Sequence, residues 1–246
     1  MELGLAGRVA LVTASSKGLG FAAARALASE GCAVSINARH AETLERAANV
    51  LREAGAEVFA QHCDVTDASS ATELVDRTVG HFGRLDILVA NAGGPPQGRA
   101  FDVDDESLNA AINANLLTSV RLARAAVPHL ARGGWGRICF IASYSVVQPL
   151  PNLALSNTAR VGLWGWAKTA AADLAAGDRT QAITLNLACP GPHATDRMIQ
   201  LGASGGTGPM GDPDDFGKVV AFLCSEPAAF VNGAAIVVDG GQTLAL

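Results

Sequence analysis

The fold is decided near the start of the chain by the stretch Arg8-Val9-Ala10-Leu11-Val12-Thr13-Ala14-Ser15-Ser16-Lys17-Gly18-Leu19-Gly20. Its first half is a short apolar run rich in β-branched residues, and a helical pattern over 21–30 follows its last glycine. A helix N-terminus presents free backbone N–H groups and the positive end of the helix dipole, and glycines let a phosphate approach the backbone. The stretch therefore predicts a phosphate-binding turn between a buried strand and a helix.

The alternation of strand and helix continues along the rest of the chain. Strand patterns at about 33–37, 58–62, 85–90, 137–142, 182–188 and 235–238 are separated by helical patterns, among them one long helix over about 104–132. Such alternation builds a parallel sheet with helices on both faces. We expect an α/β fold, a single-domain Rossmann-type doubly wound parallel sheet formed by residues 1–246, with a short glycine-rich lid at about 198–212.

The residue after the second strand indicates which dinucleotide the turn would bind. Dinucleotide folds place the residue that meets the adenosine ribose at this point, and an acidic residue there favours NAD whereas Arg favours NADP. Here that residue is Arg39, and Lys17 in the turn offers a second cation. Both side chains could donate hydrogen bonds to a dianionic 2′-phosphate, so we expect NADP(H) as the cofactor.

Composition and charge exclude several classes of protein. The net charge is −5 and no basic run is present, which argues against nucleic acid or an anionic membrane as the main partner. The high apolar fraction of 49% favours extensive burial, including a homo-oligomer interface in a dimer or tetramer. The five cysteines are widely scattered, so we expect reduced thiols, a cytoplasmic location and no metal site. They are Cys32, Cys63, Cys139, Cys189 and Cys224.

Several further motifs stand in the same register as those of one known family. The matching residues include the stretch from Thr13 to Gly20, Asp64-Val65, Asn91-Ala92-Gly93, Asn115, Ser143, Pro190-Gly191 with Thr195, and Val238-Asp239-Gly240-Gly241. By these motifs the whole chain resembles the short-chain dehydrogenase/reductase family, in a divergent branch close to the 3-oxoacyl-acyl carrier protein reductases. The resemblance implies hydride transfer between a nicotinamide and a carbonyl or alcohol.

The same resemblance implies which residues bind the cofactor. Asp64 and Val65 would contact the adenine, Asn91 and Gly93 the ribose region, and Thr195 the nicotinamide carboxamide. The full expected set is Thr13, Ser15, Ser16, Lys17, Gly18, Leu19, Gly20, Arg39, Asp64, Val65, Asn91, Ala92, Gly93, Pro190, Gly191 and Thr195. One departure is that Ala14 replaces the first glycine of the turn.

The family's catalytic pair is absent from the sequence. Members of the family use a Tyr as acid and base, with a Lys four residues later that lowers the pKa of the phenol. The only tyrosine here is Tyr144, and Gln148 stands four residues after it. Aligning Val161-Gly162-Leu163 with the family's helix places Leu153 and Asn157 at the two positions, and leaves the segment after Ser143 three residues shorter than usual.

Five residues remain as candidates for the chemistry. Ser143 keeps its family position as hydrogen-bond donor to the substrate carbonyl. Tyr144 and His193 are alternative proton donors, the latter because imidazole titrates near neutral pH. Arg160 lies on the same helix face as Leu153 and Asn157 and could supply the missing positive charge. Asn115, in the long helix, would hold a water molecule or a backbone bend.

The sequence leaves more than one function open. The leading hypothesis is an NADP(H)-dependent oxidoreductase that reduces a carbonyl of a small-molecule or carrier-bound substrate, 3-oxoacyl-like or another ketone, by an atypical mechanism. Alternatives are an imine reductase, a cofactor-assisted dehydratase or isomerase, and a catalytically silent nucleotide-binding partner subunit. A glycine-rich lid would be mobile and would enclose the substrate poorly.

Overall fold

The computed structural model describes residues 2–202 and 209–245, and a seven-stranded sheet forms its centre. The strands are β1 (Val9–Val12), β2 (Ala33–Ala38), β3 (Val58–His62), β4 (Ile87–Ala90), β5 (Gly136–Ile141), β6 (Ile183–Pro190) and β7 (Ala235–Val238). Their spatial order is β3-β2-β1-β4-β5-β6-β7, and every neighbouring pair is parallel. The predicted α/β fold, a doubly wound parallel sheet, is confirmed.

Helices cover both faces of this sheet. They are α1 (Gly18–Ser29), α2 (Ala41–Glu53), α3 (Ser70–Phe82), α4 (Asp105–Ile112), α5 (Thr118–Gly133), α6 (Ala154–Ala176), α7 (Asp196–Leu201) and α8 (Pro213–Leu223). One core cluster packs α1, α2 and α8 on one face, and a second packs α3, α5 and α6 on the other. Because both faces are covered, β1, β4, β5 and β6 are buried at every residue, which explains their continuous apolar runs.

The long helix expected over 104–132 is interrupted. A π-helical turn, Asn113–Leu117, separates α4 from α5. The Thr118 hydroxyl donates to the Asn113 carbonyl of this turn at 2.9 Å. Such turns insert one extra residue and often occur at functional sites. Hydrophobic periodicity alone did not show this break, because the apolar residues on both sides continue the pattern.

Candidate active site

A cleft of about 960 Å³ lies at the carboxyl ends of the strands. Its lining comes from the segments that follow β1, β2, β3, β4, β5 and β6, together with α6 and α7. The strand order reverses between β1 and β4, and open α/β sheets bind ligands in the crevice at such a switch point. The sheet topology therefore selects this cleft as the candidate site.

The cleft brings together most of the residues predicted from the sequence. All five candidate catalytic residues line it, which are Asn115, Ser143, Tyr144, Arg160 and His193. So do thirteen of the expected cofactor residues, namely Ser16, Lys17, Gly18, Leu19, Arg39, Asp64, Val65, Asn91, Ala92, Gly93, Pro190, Gly191 and Thr195. Thr13, Ser15 and Gly20 do not line it, because they lie behind the turn and hold its shape.

These three residues fix the phosphate turn from within. The Thr13 hydroxyl donates to the Asn91 carbonyl at 2.7 Å and accepts from the Asn91 N–H at 2.9 Å, which joins β1 to the end of β4. The Ser15 hydroxyl donates to the Val12 carbonyl at 2.7 Å. A Cβ atom on Gly20 would stand 2.6 Å from the Ala14 carbonyl oxygen, so helix α1 approaches the turn too closely for any side chain there.

Ala14 occupies the first glycine position in a left-handed conformation. Its φ is +46°, in the region that disfavours residues with a Cβ atom. Its N–H donates to the Asn37 side-chain oxygen at 3.3 Å and its carbonyl accepts from the Asn91 amide at 3.1 Å. These contacts hold the strained residue in place, so the turn keeps its shape without the glycine.

Asn37 is a site residue that the sequence did not single out. It is buried in β2, and its side-chain amide donates to the carbonyls of Gln61 and Cys63 at 3.0 and 3.1 Å. Together with its contact to Ala14, this amide connects the ends of three strands. A polar residue within the apolar run of β2 was the available signal, because a buried amide requires partners.

The nucleotide end of the cleft carries Arg39 beside Asp64. The Arg39 Nη1 atom lies 3.8 Å from the Asp64 Oδ2 atom, and the side chains are 66% and 35% exposed. The other Asp64 oxygen accepts from the N–H and the hydroxyl of Thr66 at 2.9 and 2.8 Å. Asp64 is therefore oriented by its own turn, and the Arg39 guanidinium stays accessible to a ligand.

Ser143 lies two residues beyond the end of β5. Its Oγ atom accepts a hydrogen bond from the Ser145 N–H at 3.1 Å, at the start of a short 3₁₀ turn over Tyr144–Val146. A hydroxyl that accepts in this way still has its own O–H to donate. Ser143 is therefore suited to donate to an oxygen atom in the cleft.

Arg160 is the buried cation of the site. It is 8% exposed, and its Nη1 atom donates to the carbonyls of Ile141 and Ala142 at 3.1 and 2.7 Å. Its Nη2 atom donates to the Asn115 side-chain oxygen at 3.1 Å. The guanidinium thus joins α6, the end of β5 just before Ser143, and the π-helical turn. Burial lowers the pKa of Arg160 to about 10, which leaves it charged at neutral pH.

The residues aligned with the missing Tyr and Lys do not act in the cleft as a pair. Leu153 is the N-cap residue of α6 and its side chain is buried. The Asn157 amide donates to the Leu150 carbonyl at 2.9 Å and its oxygen accepts from the Leu150 N–H at 3.3 Å, so it holds the loop before the helix. On α6, the polar residues that line the cleft are Ser156 and Arg160.

The two alternative proton donors have unfavourable surroundings. Burial, with the Asp239 carboxylate nearby, raises the pKa of the Tyr144 phenol, which is the opposite of what an acid at neutral pH requires. His193 is 5% exposed, with its Nδ1 atom 3.0 Å from the Gly191 carbonyl oxygen and its ring packed edge-on against Phe216. These contacts describe a packed loop histidine.

The predicted lid at 198–212 lies partly outside the described residues, since 203–208 are not described. The N-terminal part of this segment belongs to α7, which contacts both the phosphate turn and the segment after β4. Lys17 in the phosphate turn pairs with Asp196 at 2.9 Å, and the Arg197 guanidinium donates to the Pro95 carbonyl. The Gln97 amide also donates to the Leu201 carbonyl at 3.1 Å. These contacts hold α7 over the cleft.

Residues 2–202 and 209–245 contain neither a metal-binding cluster nor a membrane-spanning helix. No cluster of three or more His, Cys, Asp or Glu side chains there could hold a metal ion, and all five cysteines are free thiols. None of the helices in those ranges is long and apolar enough to span a membrane.

Comparison with known proteins extends these observations over nearly the whole chain. A family model described as "Enoyl-(Acyl carrier protein) reductase" matches residues 13–243. Dehydrogenase/reductase SDR family member 4 of Bos taurus is 33% identical over 246 residues, which cover 96% of this chain and 87% of that protein. The cis-4-hydroxycyclohexanecarboxylate dehydrogenase of Sinomonas cyclohexanicum is 33% identical over 245 residues and covers 96% of each chain.

Solved structures agree with this result. The structure of L-sorbose reductase from Gluconobacter frateurii, complexed with NADPH and L-sorbose, superposes with a TM-score of 0.93. The two chains are 30% identical, and the match covers 100% of each. The family model over residues 13–243 and the relatives that are 33% identical over 96% of the chain show that this chain belongs to the short-chain dehydrogenase/reductase family.

Proposed function

We propose that the protein is an NADP(H)-dependent oxidoreductase that transfers hydride to the carbonyl carbon of a small-molecule or carrier-bound ketone. The observation that carries this proposal is that one cleft joins the phosphate turn and Arg39 to Ser143 and Arg160. Membership of a family whose relatives are dehydrogenases and reductases supports it, as does the NADPH bound by the sorbose reductase.

The residues at the nucleotide end fit the phosphorylated cofactor. Arg39 and His40 follow β2, so no carboxylate occupies the position that would favour NAD. An exposed ion pair such as Arg39 with Asp64 contributes about 0–1 kcal/mol, too little to keep the guanidinium from a phosphate dianion. Lys17 lies closer to its carboxylate, at 2.9 Å from Asp196, and an ammonium lacks the two-pronged geometry of a guanidinium, so Arg39 is the main candidate and Lys17 the secondary one.

Substitution of Arg39 tests the choice of cofactor. Loss of charge-assisted hydrogen bonds to a 2′-phosphate is worth about 1.5–3 kcal/mol, so Arg39→Ala should weaken NADPH binding roughly 10- to 150-fold and change NADH binding little. Fluorescence titration of both cofactors would measure this. Arg46→Ala is the matched control, because Arg46 is also exposed, lies outside the cleft lining and pairs with Glu42 at 4.0 Å. Equal losses for NADPH and NADH would refute the role in 2′-phosphate binding.

At the other end of the cleft, the protein's task is to bind and polarise the carbonyl. When bound, NADPH supplies the hydride. Ser143 donates its free O–H to the carbonyl oxygen, which lowers the barrier as negative charge develops on that oxygen. Arg160 holds the backbone just before Ser143 through the Ile141 and Ala142 carbonyls, and Asn115 orients Arg160. Without the family's Tyr and Lys, this mechanism is atypical.

Activity is tested by NADPH oxidation with a panel that contains a short 3-oxoacyl thioester, an α-diketone, L-sorbose and a cyclic imine. We expect turnover of at least one carbonyl, and a loss of about 10²- to 10³-fold in kcat for Ser143→Ala, the usual effect of removing one donor from an oxyanion site. Turnover of the imine alone would favour an imine reductase. NADPH binding without turnover of any member would contradict the proposed reaction and favour a silent subunit.

We also propose that the protein is a homo-oligomer, a dimer or tetramer. The outward side of α6 is exposed at Val161, Gly162 and Gly165, and Val161 is 43% exposed. Small and apolar residues on one helix side allow a second helix to approach closely. Light scattering on the purified protein should give a mass of two or four chains of 25.1 kDa, and Val161→Lys should lower it. A monomer at micromolar concentration would contradict this expectation.

A further inference from the structure

Ser156 is a largely buried residue whose hydroxyl has no role in the site described so far. Ser156 lies in the first turn of α6, is 7% exposed and lines the cleft. Over residues 2–202 and 209–245, no hydrogen bond of its hydroxyl to another protein group is found, whereas Thr169 on the same helix donates back to the Gly165 carbonyl. Because Ser156 lines the cleft, its hydroxyl is available to donate a hydrogen bond to a ligand there.

Arg160 stands one helical turn after Ser156 on the same face. Residues four apart on a helix lie one above the other, and both of these line the cleft. Three N–H groups of the guanidinium donate to protein oxygens, which leaves two of the five that an arginine carries. None of the carboxylates in the described part of the chain forms an ion pair with Arg160. A buried charge without a counterion is unfavourable unless another group balances it.

We propose that Ser156 and Arg160 together replace the acid and cation of the missing catalytic pair, an inference that rests on the proposed function. Ser156 donates a hydrogen bond and then its proton to the carbonyl oxygen, and Arg160 supplies the positive charge that stabilises the alkoxide. In the balanced step, the carbonyl carbon gains hydride from NADPH, which is oxidised to NADP⁺. The oxygen takes the Ser156 proton while Ser156 takes one from water, and buffer neutralises the resulting hydroxide.

The position of Ser156 along the chain agrees with this assignment. Alignment on Leu153 made the segment after Ser143 three residues too short for the family, and Ser156 is the third residue after Leu153. Arg160 then follows Ser156 at the same interval that separates the family's Tyr from its Lys. This alignment register was possible from the sequence, but a serine and an arginine do not resemble a tyrosine and a lysine. Their shared position in the cleft is what indicates it.

Two hydroxyl deletions on one helix turn test the inference. Ser156→Ala removes the proposed donor, and Thr158→Ala removes a hydroxyl from the exposed side of α6 two residues later. We expect kcat on the best ketone substrate to fall about 10²- to 10³-fold for Ser156→Ala, with NADPH affinity within about twofold of wild type, and no such fall for Thr158→Ala. Wild-type activity in Ser156→Ala would overturn the role of the serine while leaving the reductase function intact.

A binding measurement makes the test independent of turnover. Trifluoroethanol has an acidic hydroxyl and resembles the alkoxide, and its ¹⁹F signal reports binding to the NADP⁺-loaded protein. We expect it to bind wild type about tenfold or more tightly than Ser156→Ala. Equal affinity, or no binding to a wild type that holds NADP⁺, contradicts the inference. Failure to bind NADP⁺ instead contradicts the proposed function.

The pH profile and a conservative variant separate a chemical role from a structural one. Neither a serine hydroxyl nor an arginine titrates between about pH 6 and pH 9, so kcat should be flat over that range. An imidazole donor would give an inflection there. Arg160→Lys keeps the charge, and kcat should fall less than in Arg160→Met at equal NADPH affinity. If both lower NADPH affinity and leave kcat unchanged, Arg160 serves cofactor binding alone.

Discussion

Replacing Ala14 by glycine should stabilise this protein, although Ala→Gly normally destabilises. The φ of +46° costs a residue with a Cβ atom about 1–2 kcal/mol, which glycine avoids. Glycine in turn costs about 0.4–1 kcal/mol, because it gives the unfolded chain more freedom. Ala14 is only partly buried, so little packing is lost. We expect the free energy of unfolding to rise by roughly 0.5–1 kcal/mol for Ala14→Gly.

Thermal and urea unfolding without cofactor would measure this difference. For a chain of this size, 1 kcal/mol shifts Tm by about 2–4 °C, so the expected rise is roughly 1–4 °C. Ala54→Gly is the control, since Ala54 is exposed with a φ of −80°. This substitution should lower the free energy of unfolding by up to about 1 kcal/mol. If both substitutions destabilise to the same extent, the contacts of Asn37 and Asn91 do not hold a strained residue and the reasoning fails.

Three further substitutions test parts of the site that hold its shape. Gly20→Ala should destabilise by about 1–3 kcal/mol and weaken NADPH binding, because its Cβ atom would meet Ala14 at 2.6 Å; circular dichroism and titration report both. Asn157→Ala should cost about 1–3 kcal/mol in urea unfolding, as it removes both hydrogen bonds to Leu150. Asp196→Ala should change stability by less than about 1 kcal/mol, because the pair with Lys17 is exposed; a larger loss would show that this pair is needed to hold α7.

The fold and the nucleotide end of the site were largely predictable from the sequence. These features depend on residues that are neighbours in the chain. They are the continuous apolar strands, the glycine-rich turn and Arg39 after the second strand. Ser143 was singled out by its match to the family's motif, at the end of a predicted strand. The π-helical turn was missed, since its side chains bond to residues distant in the chain, Asn113 to the Thr66 carbonyl and Asn115 to Arg160, and no periodicity expresses such contacts.

By itself, the sequence determined the doubly wound sheet and the fact that Gln148, and no lysine, stands four residues after the single tyrosine, Tyr144. Only the tertiary structure decided which side chains of α6 face the cleft. It placed Asn157 against the loop before α6, and it put Ser143, Ser156 and Arg160 on the lining of one cleft. The physical reason is that burial, free donors and uncompensated charge depend on contacts between β5, the π-helical turn and α6, which are distant in the chain and meet only in the folded protein.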